Sequence, residues 1–248
     1  AKMISIIMLG DVDAAAFVGT STDLTDIKGH WAEGYIQYCY SQGVIAGRGD
    51  GTFAPNANVT AVEAAKMLLG AIGYNATVQG YVGSDWAINV TRDAQLSGFY
   101  TDLKGLSSTK ALNRDEAAQM IYNAVVAKLI VKEPSLNINT GSITYNYTPS
   151  NTKSLLTETF GAVKVEGVVT ANQFTDNDLK DKTTVAITNS DELRQAGYAF
   201  DDSSNFKTVT GAEVYGRAIS LYVKPSTAAK NNTLKATVLG SAFVNDTN

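Results

Sequence analysis

Apolar residues fall at helical intervals through the first half of this chain and alternate along short segments in the second. Trp31, Tyr35, Ile36, Cys39 and Tyr40 recur at i, i+4, i+5, i+8 and i+9, one stripe of an amphipathic helix over about 31–42. Gly43 stops that helix, as a left-handed residue following a helix commonly does. Thr60 reads as an N-cap, and Glu63 completes a capping box for a helix running to about Ile72 and ending at Gly73. Asn113 and Glu116 hold the same cap and box positions for a later helix. Between the first two helices, 47–55 is punctuated by glycine, and Asp50-Gly51 signals a tight turn. Beyond Ala127-Lys-Leu-Ile-Val131 and Pro134 the helical spacing fades. Residues 162–169, 183–188, 214–223 and 234–239 are β-branched and partly alternating. Val163, Val165, Gly167 and Val169 share one face, as do Ile219, Leu221 and Val223. Five or six short strands predict a small sandwich or barrel, with one short helix over Asp191–Ala199.

The helical half copies itself. Trp31-Ala32 recurs as Trp86-Ala87, and Gly43 as Gly98 at the same offset. Val59-Thr-Ala-Val-Glu-Ala-Ala-Lys-Met67 recurs as Leu112-Asn-Arg-Asp-Glu-Ala-Ala-Gln-Met120, about two residues closer. Ala1-Lys2-Met3 matches Ala65-Lys66-Met67. A fixed period of this kind marks stacked supersecondary units that bury their apolar faces on one another. The expected organisation is the tail of a truncated first repeat over 1–20, a repeat over 21–74, a degenerate repeat over 75–133, and a β-rich domain over 134–248, with the boundary near Glu133–Ser135.

Composition narrows the function. With 248 residues, 44% of them apolar, and a mean hydropathy of −0.06, the chain is ordinary globular material with enough length for real cores. Its net charge is −4 and it has five arginines without a basic cluster, which argues against nucleic acid as a partner. No apolar run approaches the roughly 20 residues that span a bilayer. Met3–Leu9 lacks a basic leader and a cleavage site, so it reads as the end of a helix rather than a signal peptide. Abundant Thr, Asn, Ser, Gly and Ala beside only 18% charged residues has the texture of exported bacterial surface proteins. A single cysteine and a single histidine exclude an intrachain disulfide and a zinc site of the usual kind, and no cofactor or metal is expected. Cys39, on the apolar stripe, reads as a buried small hydrophobe. Gly47-Arg-Gly-Asp-Gly51 lacks the strand, turn and helix of a nucleotide loop and offers only Asp50 as an obvious calcium ligand. His30 and the carboxylate pairs Asp176/Asp178 and Asp201/Asp202 form no catalytic constellation.

Asp26, His30-Trp31-Ala32, Gly43–Gly47, Gly51-Thr-Phe-Ala-Pro55 and Thr60-Ala-Val-Glu63 together resemble the S-layer homology domain, a family of bacterial surface modules. The resemblance is specific over 24–69 and carries to about 76–126 through the internal copy. It implies tandem helical repeats in a pseudo-threefold cluster with one helix per repeat at its centre. It also implies attachment to secondary cell-wall polysaccharide, often with acidic, pyruvylated sugars, in grooves between repeats. The positions it singles out for polysaccharide binding are Asp26, Trp31, Gly47, Glu63, Trp86, Arg114 and Glu116. Each also has a structural reading. Trp31 and Trp86 start apolar stripes and are expected in the core first. Asp26 is a cap or turn acid before it is a ligand contact, and Arg114 either binds a carboxylate or pairs with Asp115 or Glu116. The chain departs from the pattern where Ala61 replaces an arginine, leaving no cation there. The weaker copy has Asp102 in place of the second glycine and has lost the Gly-Thr-Phe-Pro segment. Each repeat therefore keeps half a groove.

These observations predict a noncatalytic structural protein of a bacterial cell surface, extracellular, in an S-layer or related lattice or filament. The repeats would anchor it and the β region would self-associate. The alternatives are a wall-anchored extracellular enzyme whose catalytic module lies outside this chain, and a scaffold module without glycan binding.

Overall fold

Caps and glycine stops set the helices of the first half where the sequence places them, in a computed structural model that describes residues 1–11, 13–189, 191, 194, 203–225 and 236–243. The helices are α1 (Lys2–Leu9), α2 (Glu33–Ser41), α3 (Ala61–Ala71), α4 (Trp86–Leu96) and α5 (Arg114–Val126). Thr60 and Asn113 both form complete capping boxes with Glu63 and Glu116, and Gly43 and Gly98 adopt φ of 69° and 77° behind α2 and α4. The chain divides into two compact units, Ala1–Leu155 and Leu156–Asn248.

In the first unit α1, α3 and α5 each pack against the other two, α2 packs against α1, and α4 against α3. Leu68, Leu69, Val90, Phe99 and Met120 fill the shared core, and Cys39 is fully buried among them. The N-caps of α3 and α5 lie side by side: Thr60 and Ala111 form an antiparallel bridge, and the Leu112 amide donates to the Val59 carbonyl at 2.9 Å.

One stripe residue departs from its expected place. Helix α2 starts at Glu33, not at Trp31. Glu33 accepts from the Gly29 amide at 2.7 Å, and its own amide donates to the His30 carbonyl at 2.9 Å. That turn sends Ala32 and Ile36 inward and leaves Trp31 71% exposed. Trp86 behaves differently: it opens α4 and is half-buried against the core.

At its turn the degenerate copy keeps a left-handed residue where the better one has a glycine. Asp102, standing where the other copy has Gly47, adopts φ 63° against 69° for the glycine; short polar side chains tolerate the left-handed region better than most. Asp102→Gly is expected to raise stability by about 0.5–1 kcal/mol by relieving that conformation, read as a shift in the urea midpoint at unchanged m-value. The helix contact is rebuilt as well. Gly70 lies so close to Val44 that a Cβ would sit 3.4 Å from its Cα. At the matching position Asn123 is buried and donates to the carbonyls of Phe99 (3.0 Å) and Thr101 (2.8 Å).

A hairpin follows α5, with β1 (Lys128–Leu136) antiparallel to β2 (Ile143–Ser154). Its base belongs to the helical unit, since the Ile130 amide donates to the Ile72 carbonyl at 2.7 Å. The units therefore divide after Leu155, past the change of texture at 133–135. The hairpin carries no clean alternation, and Pro134 and Pro149 stand within its strands, where proline weakens a strand pattern.

The second unit holds β3 (Val163–Ala171), β4 (Thr183–Asn189), β5 (Ser203–Phe206), β6 (Ala218–Pro225) and β7 (Ala236–Phe243). They form an antiparallel sheet in the order β5-β4-β3-β6-β7, curled so that its edge strands β5 and β7 meet. Val163, Val165 and Val169 of β3 and Ile219, Leu221 and Val223 of β6 are buried, with Val185 and Phe206, in its core. The described strands of this unit thus form one curled five-stranded sheet, the barrel-like form of the expectation. The helix expected over Asp191–Ala199 and the pair Asp201/Asp202 lie largely outside the described residues. Among those described, no helix is long and apolar enough to cross a membrane.

Candidate functional site

The loop between α2 and α3 is built to present one edge. Both Asp26 carboxylate oxygens accept backbone amides, from Phe53 at 2.9 Å and Ala54 at 2.7 Å, and clasp the Gly51–Pro55 segment. The Phe53 amide, with Ala54 behind it, holds the Asp26 carboxyl below the usual range. Asp50 works locally: its Oδ1 accepts the Thr52 hydroxyl and the Thr52 amide. Gly47 closes the loop against the core, where a Cβ would lie 2.7 Å from Leu24 Cδ2 and 2.9 Å from the Thr52 carbonyl. His30 accepts from the Ala32 amide through Nδ1 at 3.1 Å and meets Asn56 at 3.2 Å through Nε2, a structural role beside Trp31.

Because Asp26 sits lower in the folded state than in an open chain, its clasp contributes fully above the ordinary carboxylate range and is lost as pH falls through the folded value. In an NMR titration the Phe53 and Ala54 amide protons are expected to move together, with a midpoint below the ordinary value of about 3.9. Asp26→Asn removes that titration. Amides that titrate at or above the ordinary value contradict the clasp.

This loop forms one wall of a cleft of about 610 Å³, lined also by Lys2 of α1, by Glu63, Lys66 and Met67 of α3, and by both tryptophans. That volume falls within the range of small-molecule sites. Trp31 offers an exposed face. Lys66 Nζ lies 5.1 Å from the centre of the Trp86 ring, and burial lowers the proton affinity of its amine. Glu63 completes its helix cap, with Oε2 accepting from both the amide and the hydroxyl of Thr60 at 2.8 Å. Aromatic faces, close backbone and cations together suit a ring-shaped polyhydroxyl ligand bearing negative charge.

Of the residues predicted for the site, Trp31, Gly47, Glu63 and Trp86 line this cleft; Asp26 supports its loop from outside the lining. Arg114 and Glu116 do not line it. Arg114 is exposed at the first position of α5, and Glu116 accepts from the Asn113 amide at 2.9 Å within its capping box. Residue 61 itself offers no cation, since Ala61 is buried. The cleft nevertheless has three: Lys2, Arg48 and Lys66, which sequence reasoning did not assign. One signal for two of them was present, because Ala1-Lys2-Met3 repeats Ala65-Lys66-Met67.

Among the described residues no group of acidic, histidine and cysteine side chains is placed to hold a metal ion. Residues 23–65 match the family model of the S-layer homology domain. Over 60 residues, 24% of this chain, the sequence is 37% identical to a cellulosome-anchoring protein of Acetivibrio thermocellus, and that stretch spans 13% of the relative's length. No solved structure matches the chain.

Proposed function

We propose, from the premise that this chain carries an S-layer homology domain at residues 23–65, that it anchors a bacterial surface protein to secondary cell-wall polysaccharide. The observation that carries this reading is the cleft between α1, the α2–α3 loop, α3 and Trp86, which combines two tryptophans with cations in one concave site. Within it Trp31 and Trp86 stack on sugar rings, Gly47 allows the loop its close turn, and Glu63 fixes the first turn of α3. Asp26 holds the loop in shape. The mutual packing of α1, α3 and α5 supports a pseudo-threefold arrangement of repeats around these helices. The match to a relative named for anchoring supports an extracellular, wall-associated place. The role is noncatalytic and structural, in an S-layer or similar assembly that self-associates through the β-rich unit.

A pull-down on purified cell wall tests this directly. The chain is expected to sediment with untreated wall and to remain in solution once secondary polysaccharide has been removed. Equal retention on both preparations sinks the specific anchor. Ordered sheets or filaments in negative stain support the lattice role, and monomers persisting at high concentration count against it.

A further inference from the structure

We propose that the outer end of the β1–β2 hairpin is a contact between copies of this chain. It belongs to the helical unit, apart from the β-rich unit to which self-association is assigned above, and it does not line the cleft. Among the described residues the two strands pair only with each other. Such a ribbon is marginal in water until a further layer covers it. Beyond Lys132 the register sets Pro134 against Tyr145 and Leu136 against Ile143, which puts all four on one side; Glu133 with Asn146 and Ser135 with Thr144 take the other. The tip is closed in advance: Asn137 Oδ1 accepts the Asn139 amide at 3.0 Å, and the Asn137 amide donates to the Ser142 carbonyl at 2.9 Å.

Charge, area and edges select a second copy as the occupant. Residues 134–152 contain no Asp, Glu, Lys or Arg. Copies that each carry −4 repel one another, and along this arm they meet without opposing like charges. Lys132, one rung further in on the same side, lies with Nζ 3.9 Å from the centre of its own Tyr145 ring. Leu136, Ile138, Ile143 and Tyr145 are 61%, 86%, 60% and 50% exposed. With a large side chain offering about 200 Å², each copy presents roughly 500 Å² of apolar surface. Two copies related by a two-fold axis set the same rungs against each other and bury roughly 1,000 Å² in all, the least that a specific contact takes and below the about 1,600 Å² of a stable one. Such a contact is weak alone and gains strength when repeated in an array. Pro134 and Pro149 each remove an N–H from their strand, which discourages a third strand along either edge. The apolar side is left as the meeting surface.

Sedimentation velocity tests this on the full chain from about 0.01 mM to about 1 mM, beside Leu136→Lys/Ile143→Lys, with thermal melts confirming that the variant is folded. The parent's mean mass is expected to rise above the 26.3 kDa of one chain, and the double variant should need at least about tenfold higher concentration for the same rise. Introduced thiols give a second reading, since the native Cys39 is buried. Leu136→Cys is expected to oxidise to a linked dimer at least about tenfold faster than Thr109→Cys, an exposed position outside the hairpin. Association undiminished in the double variant, or equal rates for the two thiols, overturns the hairpin contact and leaves association to the β-rich unit. A parent that stays monomeric throughout overturns the contact and the lattice role together. The wall pull-down reads the anchor separately, because neither Leu136 nor Ile143 lines the cleft.

Discussion

Phe99→Ala is expected to cost the helical unit about 3–5 kcal/mol, the range for emptying a fully buried aromatic site. Phe99 is completely buried in the turn after α4, at the position that Val44 fills in the better copy. Its amide donates to the Ala94 carbonyl at 2.9 Å, and its carbonyl accepts from Asn123. The backbone at residue 99 is thus held on both sides, which limits how far it can collapse into the space that loss of the ring would leave. Set against a total stability of about 5–15 kcal/mol for a domain, such a loss should move the urea midpoint sharply and approach unfolding at physiological temperature. Phe99→Leu, which keeps most of the volume, should cost far less. A loss below about 1 kcal/mol for Phe99→Ala means that the degenerate copy stands outside the cooperative core. A loss in the expected range means that this copy was kept as a packing element after its loop sequence had drifted.

What the sequence disclosed follows the range of the interactions involved. The capping boxes at Thr60/Glu63 and Asn113/Glu116, the stops at Gly43 and Gly98, and the alternation of Val163, Val165 and Val169 are local, and each appears in the fold as read. Trp31 misled because its stripe spacing assumed that the helix begins with it, whereas the Gly29–Glu33 turn delays the helix by two positions. The hairpin of β1 and β2 was illegible because its strands are largely exposed and carry prolines, so they lack a one-sided apolar pattern. Asp102 read as damage to a turn, yet the backbone kept its left-handed shape around it. The cleft was half legible. Trp31 and the loop positions lie within one repeat, but Trp86 comes from the next and the cations from α1, a loop and α3, and only tertiary packing brings Lys2 and Trp86 to the same concavity. The absence of a cation at Ala61 was therefore visible in the sequence, whereas the Lys2/Lys66 repeat gave no sign that the two side chains line one cleft.

Trp31→Ala separates packing from binding more cleanly than any other change in the cleft. The side chain is 71% exposed and its ring lies 5.6 Å from that of His30. Removing it opens no buried cavity, and stability should stay within about 0.5 kcal/mol of the parent. If the cleft holds a sugar chain against this face, the same change should weaken binding to wall polysaccharide by about 1–2 kcal/mol, roughly fivefold to thirtyfold. Trp31→Tyr, which keeps a flat ring, should restore most of it. Trp86→Ala is the informative contrast. Trp86 is half-buried against the core and carries Lys66 on its face, so its loss should lower stability and affinity together. Binding isotherms paired with urea melts decide the matter. Full affinity in Trp31→Ala would make Trp31 an idle surface residue and leave the cleft one aromatic wall, whereas a large fall in stability would mean that the turn depends on it for folding. An affinity loss at unchanged stability assigns Trp31 to the ligand, because an exposed ring beside His30 has little packing of its own to lose.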